Sequence, residues 1–193
     1  MAEISAGQVR GGVAPVAGGR RRWLLLAVVL GVAALLGLLF WGMLRGPKAP
    51  IGVAVPLNRP APEFTLAAID GTPLNLSALR GKTVVLNVWA SWCEPCKEEA
   101  DELNRSFELY KGRDVVFVGL AYNDDDGPVR EFVKQYRVAY PIALDPEGRI
   151  AIDLGVTGVP ETYLIDPQGR MTQKWVGPIT ARQLNGLLAP LGP

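Results

Sequence analysis

The stretch TVVLNVWASWCEPCKEE, residues 83–99, decides how the whole chain is read. Residues 83–90 are β-branched and apolar on both faces, the pattern of a strand buried at the centre of a sheet. Cys93 and Cys96 follow, the only two cysteines among 193 residues. Leu103, Phe107 and Tyr110 then recur at core-facing spacing, which predicts a helix over 93–110. Two thiols on the turn between a buried strand and a helix admit three chemistries: a structural staple, half of a metal site, or a redox centre. A disulfide stabilises mainly by closing a long loop in the unfolded chain, and this pair encloses almost none. A mononuclear zinc site generally takes four ligands, whereas this chain offers two thiols and no histidine. No metal is therefore expected, and a redox centre is the reading that stands. The first-turn amides of the helix lack intrahelical partners, so with the helix dipole they stabilise a thiolate at Cys93. Cys96, one turn further in, is expected to be shielded and to resolve a mixed disulfide formed at a surface-accessible Cys93.

Outward from this stretch the chain alternates strand-like and helix-like segments. Residues 64–67 and 72–75 flank the turn Asp70-Gly71 as a short hairpin. Residues 114–120 read as a second buried strand, and Asp126-Gly127-Pro128 as the cap of a helix reaching 136. A short strand over 141–144, a short helix over 149–154, an antiparallel pair over 162–166 and 172–176, and a last helix over 180–189 follow. Together they predict a layered α/β domain over 62–190, with a mostly parallel centre and an antiparallel edge. Asn123-Asp124-Asp125-Asp126-Gly127 resembles a calcium loop, but aligning Gly127 with the invariant glycine puts Tyr122 first and Val133 last, neither a ligand.

The N-terminal part is of another kind. WLLLAVVLGVAALLGLLFWGML, residues 23–44, holds no charge, Asn, Gln or Pro. As a helix it reaches about 33 Å, enough for a hydrocarbon core roughly 30 Å thick. A buried core helix would show a polar face, and a cleaved signal would carry a shorter apolar region and a small-residue cleavage site. Arg45, Pro47 and Lys48 follow instead, so an uncleaved anchor is expected. Arg10, Arg20, Arg21 and Arg22 against Glu3 hold the tail, 1–22, in the cytoplasm and place the soluble part outside. Five prolines between Pro47 and Pro62 mark 45–61 as an extended linker. The net charge of +1 offers no field for nucleic acid, and a chain without histidine builds no Ser-His or Cys-His pair.

Trp92-Cys93-Glu94-Pro95-Cys96 after the strand, with Gly158-Val159-Pro160-Glu161-Thr162 further on, resembles the membrane-tethered thiol–disulfide oxidoreductases of cytochrome c maturation, the CcmG/DsbE and ResA group. The likeness runs from about residue 60 to 188. It implies a thioredoxin-like fold with an N-terminal β-hairpin extension and a central insertion, preceded by one transmembrane helix. It also implies a cis Val159–Pro160 bond beside the disulfide, whose main chain offers an edge to an extended substrate. Cys93, Cys96 and Glu99 would then be catalytic, Trp92, Val159, Pro160 and Glu161 would contact substrate, and Glu94 and Pro95 would tune the pair. Glu94, Glu99 and Glu161 are expected to oppose the helix dipole and disfavour the thiolate, making the protein a reductant.

The same resemblance implies apocytochrome c as protein substrate, a membrane dithiol transporter as electron donor and no cofactor. The protein would act as a monomer at the periplasmic face of the inner membrane. The rivals are a general TlpA-like or ResA-like reductase, serving for example a copper site's cysteines, and a non-catalytic apocytochrome-binding module. Nothing in the chain resembles a peroxidatic Thr-x-x-Cys site.

Overall fold

The computed structural model describes residues 19–44 and 52–189. The tail read over 1–18, the linker residues 45–51 and residues 190–193 lie outside the described residues. The chain divides into two units, Met1–Lys48 and Ala49–Pro193. In the first, α1 (Gly19–Leu44) contains a stretch, Arg21–Trp41, long and apolar enough to cross a membrane, and none of it is buried.

In the second unit the elements follow the order β1 (Val53–Pro60), β2 (Thr65–Ala67), β3 (Pro73–Asn75), β4 (Thr83–Trp89), α2 (Glu94–Tyr110), β5 (Val115–Tyr122) and α3 (Asp126–Gln135). They continue with β6 (Ile142–Asp145), α4 (Arg149–Leu154), β7 (Glu161–Ile165), β8 (Arg170–Val176) and α5 (Ala181–Leu188). Six strands form one sheet in the order β1-β8-β7-β4-β5-β6, while β2 and β3 form the separate hairpin that sequence predicts. Every residue of β4 is buried, as its uniform composition requires.

Two features differ from expectation. Residues 53–60, read as linker, are an edge strand paired antiparallel to β8. Prolines hid it, yet an edge strand has one side without ladder bonds, and the register slips between Pro56 and Arg59. The sheet is also more mixed than predicted: β4–β5 and β5–β6 are parallel, but β4–β7, β7–β8 and β1–β8 are antiparallel. Burial on both faces erases the alternation that separates the two arrangements, so direction leaves no trace in the composition of a central strand.

Strand alternation divides the interior. Val85, Trp89 and Leu164 point to the face covered by α2, α3 and α5, while Leu86, Val88, Tyr163, Ile165 and Met171 point to the other, with Phe64, Leu74 and Leu154. On the first face Trp89 packs against Phe132, ring centroids 4.3 Å apart. Gly119 permits this packing, because a Cβ there would lie 2.9 Å from Trp89 Nε1. The β4–α2 junction sits at the end of this layer.

Candidate active site

Cys93 is the N-cap of α2, with φ −87° and ψ 111°, and its Sγ accepts a hydrogen bond from the Cys96 amide at 3.2 Å. Thus the sulfur occupies the place where a capping oxygen usually takes up a free first-turn amide. A disulfide joins it to Cys96, the Cα atoms 5.3 Å apart. Pro95 lies in the first turn, where a missing amide costs the helix nothing. The pair is more sheltered than expected: Cys93 is 4% exposed and Cys96 2%. As the N-cap, Cys93 holds its Sγ over the helix end against the Cys96 amide. Its neighbours Trp92, Glu94 and Pro95 are exposed.

The turn is held from the next strand's loop. Asp124 accepts from the Ser91 amide at 2.5 Å and from Ser91 Oγ at 3.0 Å, and Trp92 Nε1 donates to the Asn123 carbonyl at 3.2 Å. Asp126 does not cap α3 as predicted. The N-cap is Asp125, and the Asp126 carboxylate pairs with Arg130 at 2.6 Å. Replacing Asp124 with alanine strips Ser91 of both partners, so Asp124→Ala is expected to cost about 1–3 kcal/mol of stability. Thermal unfolding followed by circular dichroism checks this, and an unchanged Tm contradicts the lock.

Glu99 is 2% exposed, on the α2 face of the sheet. Its Oε1 accepts from Asn87 Nδ2 at 2.8 Å and its Oε2 from the Ile179 amide at 3.0 Å, while Asn87 Nδ2 also reaches Thr162 Oγ1 at 3.2 Å. Burial pushes the Glu99 carboxyl up to about 8, against the downward pull of the Asn87 and Ile179 hydrogen bonds. Among the described residues no cation contacts it.

Glu161 lies on the opposite face, alongside Tyr163. It is fully buried rather than presented at the surface for a substrate. Its carboxylate accepts from the Thr157 amide at 3.1 Å, Thr157 Oγ1 at 2.5 Å, Tyr163 OH at 2.8 Å and Lys174 Nζ at 2.9 Å. Glu94 is exposed and paired with Lys97 at 2.6 Å. The three acids expected to act together on Cys93 are therefore differently placed, and two of them are already matched by lysines.

The Val159–Pro160 bond is cis. Pro95, Gly158, Val159, Pro160, Val176 and Pro178 line a groove of about 200 Å³. Val159 packs against the cluster that contains both cysteines. Among the described residues nothing takes up the Val159 N–H or carbonyl, although the neighbouring Pro160 carbonyl accepts from Gly177 at 2.9 Å. An unpaired main-chain edge thus opens onto the groove. The structure brings Cys93, Cys96, Pro95, Val159 and Pro160 together, and places Glu99 and Glu161 on opposite faces of the sheet.

The AhpC/TSA family model matches residues 57–174, more than half of the chain. The chain belongs to the AhpC/TSA family. It is 34% identical to the thiol-disulfide oxidoreductase ResA of Bacillus thuringiensis over 71% of this chain and 79% of that protein. It is 36% identical to the thiol:disulfide interchange protein DsbE of Pseudomonas aeruginosa over 70% and 74%. Among solved structures, a thiol:disulfide interchange protein DsbE from Chlorobium tepidum superposes with TM-score 0.64 at 30% identity, covering 75% of this chain and all of that one. A DsbF homologue from Corynebacterium diphtheriae gives 0.67 at 28% identity, covering 75% and 98%. With a thioredoxin-like fold and its two cysteines in bonding distance, the AhpC/TSA member described here is a thiol-disulfide oxidoreductase of the ResA/DsbE type.

Sequence reasoning missed three residues that organise this site: Asn87, Asp124 and Lys174. Asn87 had a signal, since an amide inside an otherwise apolar buried strand demands a partner. Asp124 was hidden in an acidic run. Lys174 is brought to Glu161 only by the β7–β8 register, in which it lies opposite Tyr163.

Proposed function

We propose that this oxidoreductase reduces the disulfide of an apocytochrome c haem-attachment motif, Cys-x-x-Cys-His, at the extracytoplasmic face of a membrane in which α1 anchors it. The carrying observation is the unpaired Val159 main chain beside an apolar groove and the Cys93–Cys96 pair. An extended peptide adds to that edge and brings its own disulfide to Cys93. The Cys93 thiolate attacks one peptide sulfur, forming a mixed disulfide and releasing the other as a thiol. Cys96 then attacks Cys93, closing the protein disulfide and freeing the second peptide thiol. Two electrons pass to the peptide, and a membrane dithiol donor returns them to the protein. Glu99, three residues after Cys96 and therefore one helical turn along, holds a proton below about pH 8 for the thiol chemistry. Trp92 offers an exposed apolar platform beside Cys93.

The groove lining carries no charge, which favours main-chain recognition and supports a second reading, a general reductase of extracytoplasmic disulfides. Oxidised peptides differing only in His or Ala after the second cysteine separate the two. The haem-motif reading predicts a KM at least about fivefold lower for the His peptide, about 1 kcal/mol. Equal KM values leave the general reductase.

A further inference from the structure

The Glu161 carboxylate sits one residue after the cis proline and accepts four hydrogen bonds, two of them from Thr157, three residues before that proline. Its cation, Lys174, also donates to the Gly155 carbonyl at 3.0 Å, and its Nζ lies 5.5 Å from the Tyr163 ring centroid. Lys174 is 9% exposed, so the pair is desolvated. Gly155 closes α4, and the preceding carbonyls of Asp153 and Leu154 accept from Arg59 of β1 at 3.3 and 2.7 Å. These are the free carbonyls of a helix end, which favour cations. Main-chain bonds fix the ends of segment 155–160, from Gly155 and Val156 back to α4 and from Gly177 to the Pro160 carbonyl, and Lys174 and Glu161 supply the side-chain bonds to Gly155 and Thr157, while the residue it presents, Val159, has no main-chain partner of its own.

Desolvating a lysine and a glutamate is costly, and an apolar pair of the same size would often hold the fold as well. What an apolar pair would lack is the directed bonds to Gly155 and Thr157 at the two ends of the bend. We propose that Lys174 is a positioning residue for substrate: through Glu161 and the Gly155 carbonyl it holds segment 155–160 so that the Val159 main chain meets an extended peptide. This rests on the peptide-reductase reading above. Lys174 touches neither the sulfurs nor the peptide, and acts through the loop alone.

The test compares the full chain with Lys174→Met and with Lys174→Met/Glu161→Leu, using the oxidised His and Ala peptides. The single variant leaves a buried carboxylate without its cation and is expected to lower Tm. The double variant removes both charges and is expected to regain part of the Tm, short of the parent because the Tyr163 hydroxyl and the Thr157 amide lose their acceptor. Its KM should stay raised about tenfold for both peptides, with kcat within about twofold of the parent. A double variant with parental KM overturns the proposal, because the pair is then only a structural element. A lowered kcat with unchanged KM overturns it too, because the pair then acts on the thiols. The haem-motif reading fails separately, as equal KM values for the two peptides on the parent protein.

Discussion

Replacing Cys96 with alanine is expected to turn the protein into a trap. Cys93 caps α2 with its sulfur on the Cys96 amide, and a main-chain donor survives the substitution. The thiolate therefore keeps its stabilisation and still attacks a peptide disulfide. Without Cys96 the mixed disulfide can revert only through the peptide's own second thiol, so acid quenching after incubation with excess oxidised Cys-x-x-Cys-His peptide should show an adduct heavier by one peptide on non-reducing mass spectrometry, absent from the parent protein. Turnover should fall by at least about 10³-fold, in the range seen when one member of a catalytic unit is removed. Cys93→Ser should abolish both turnover and trapping. Adduct formation through Cys96 in that variant would reverse the assigned roles, and the exposure difference, 4% against 2%, is small enough to make the comparison worth making.

Glu99→Gln is expected to change how the protein responds to pH. The Glu99 carboxyl stands near 4.5 in the unfolded chain and is pushed up to about 8 in the fold. Between those values the folded state holds a proton that the unfolded state has released. Stability therefore falls as pH rises through this window, by at most about 1.4 kcal/mol per unit, and is flat in this respect below it. Glutamine removes the slope. It also fits the site, since its oxygen accepts from the Ile179 amide while Asn87, by turning its amide, accepts from the new NH₂ group. Urea denaturation of both proteins from pH 4.5 to 8 reads this directly. Peptide reduction by Glu99→Gln should drop by about 10²-fold or more at pH 7, as loss of a proton-carrying group does. Parallel stability curves would show that Glu99 is charged throughout.

What the sequence reveals and what it hides follow from how far each feature reaches along the chain. The β4–turn–α2 unit is legible because burial on both faces, two thiols and helical spacing all lie within 28 residues, 83 to 110. The Gly-Val-Pro-Glu-Thr segment is legible as a second motif but not in its wiring. Glu161 reads as a substrate-contacting acid after the proline, and only the register with β8 shows that its charge is met by Lys174 on the far face. Residues 53–60 read as linker because two prolines argue against a ladder. A strand that pairs on one side tolerates them, and no local pattern tells a tether from an edge. Asp124 looks like any member of an acidic loop until Ser91 folds back against it.

Activity depends on the Cys93–Cys96 pair passing two electrons to a bound disulfide. Mixing the reduced protein with one equivalent of oxidised peptide, quenching with an alkylating reagent and weighing both partners measures that transfer. One peptide disulfide should be opened for each Cys93–Cys96 bond formed. A peptide that stays oxidised while both cysteines remain open to alkylation would contradict it.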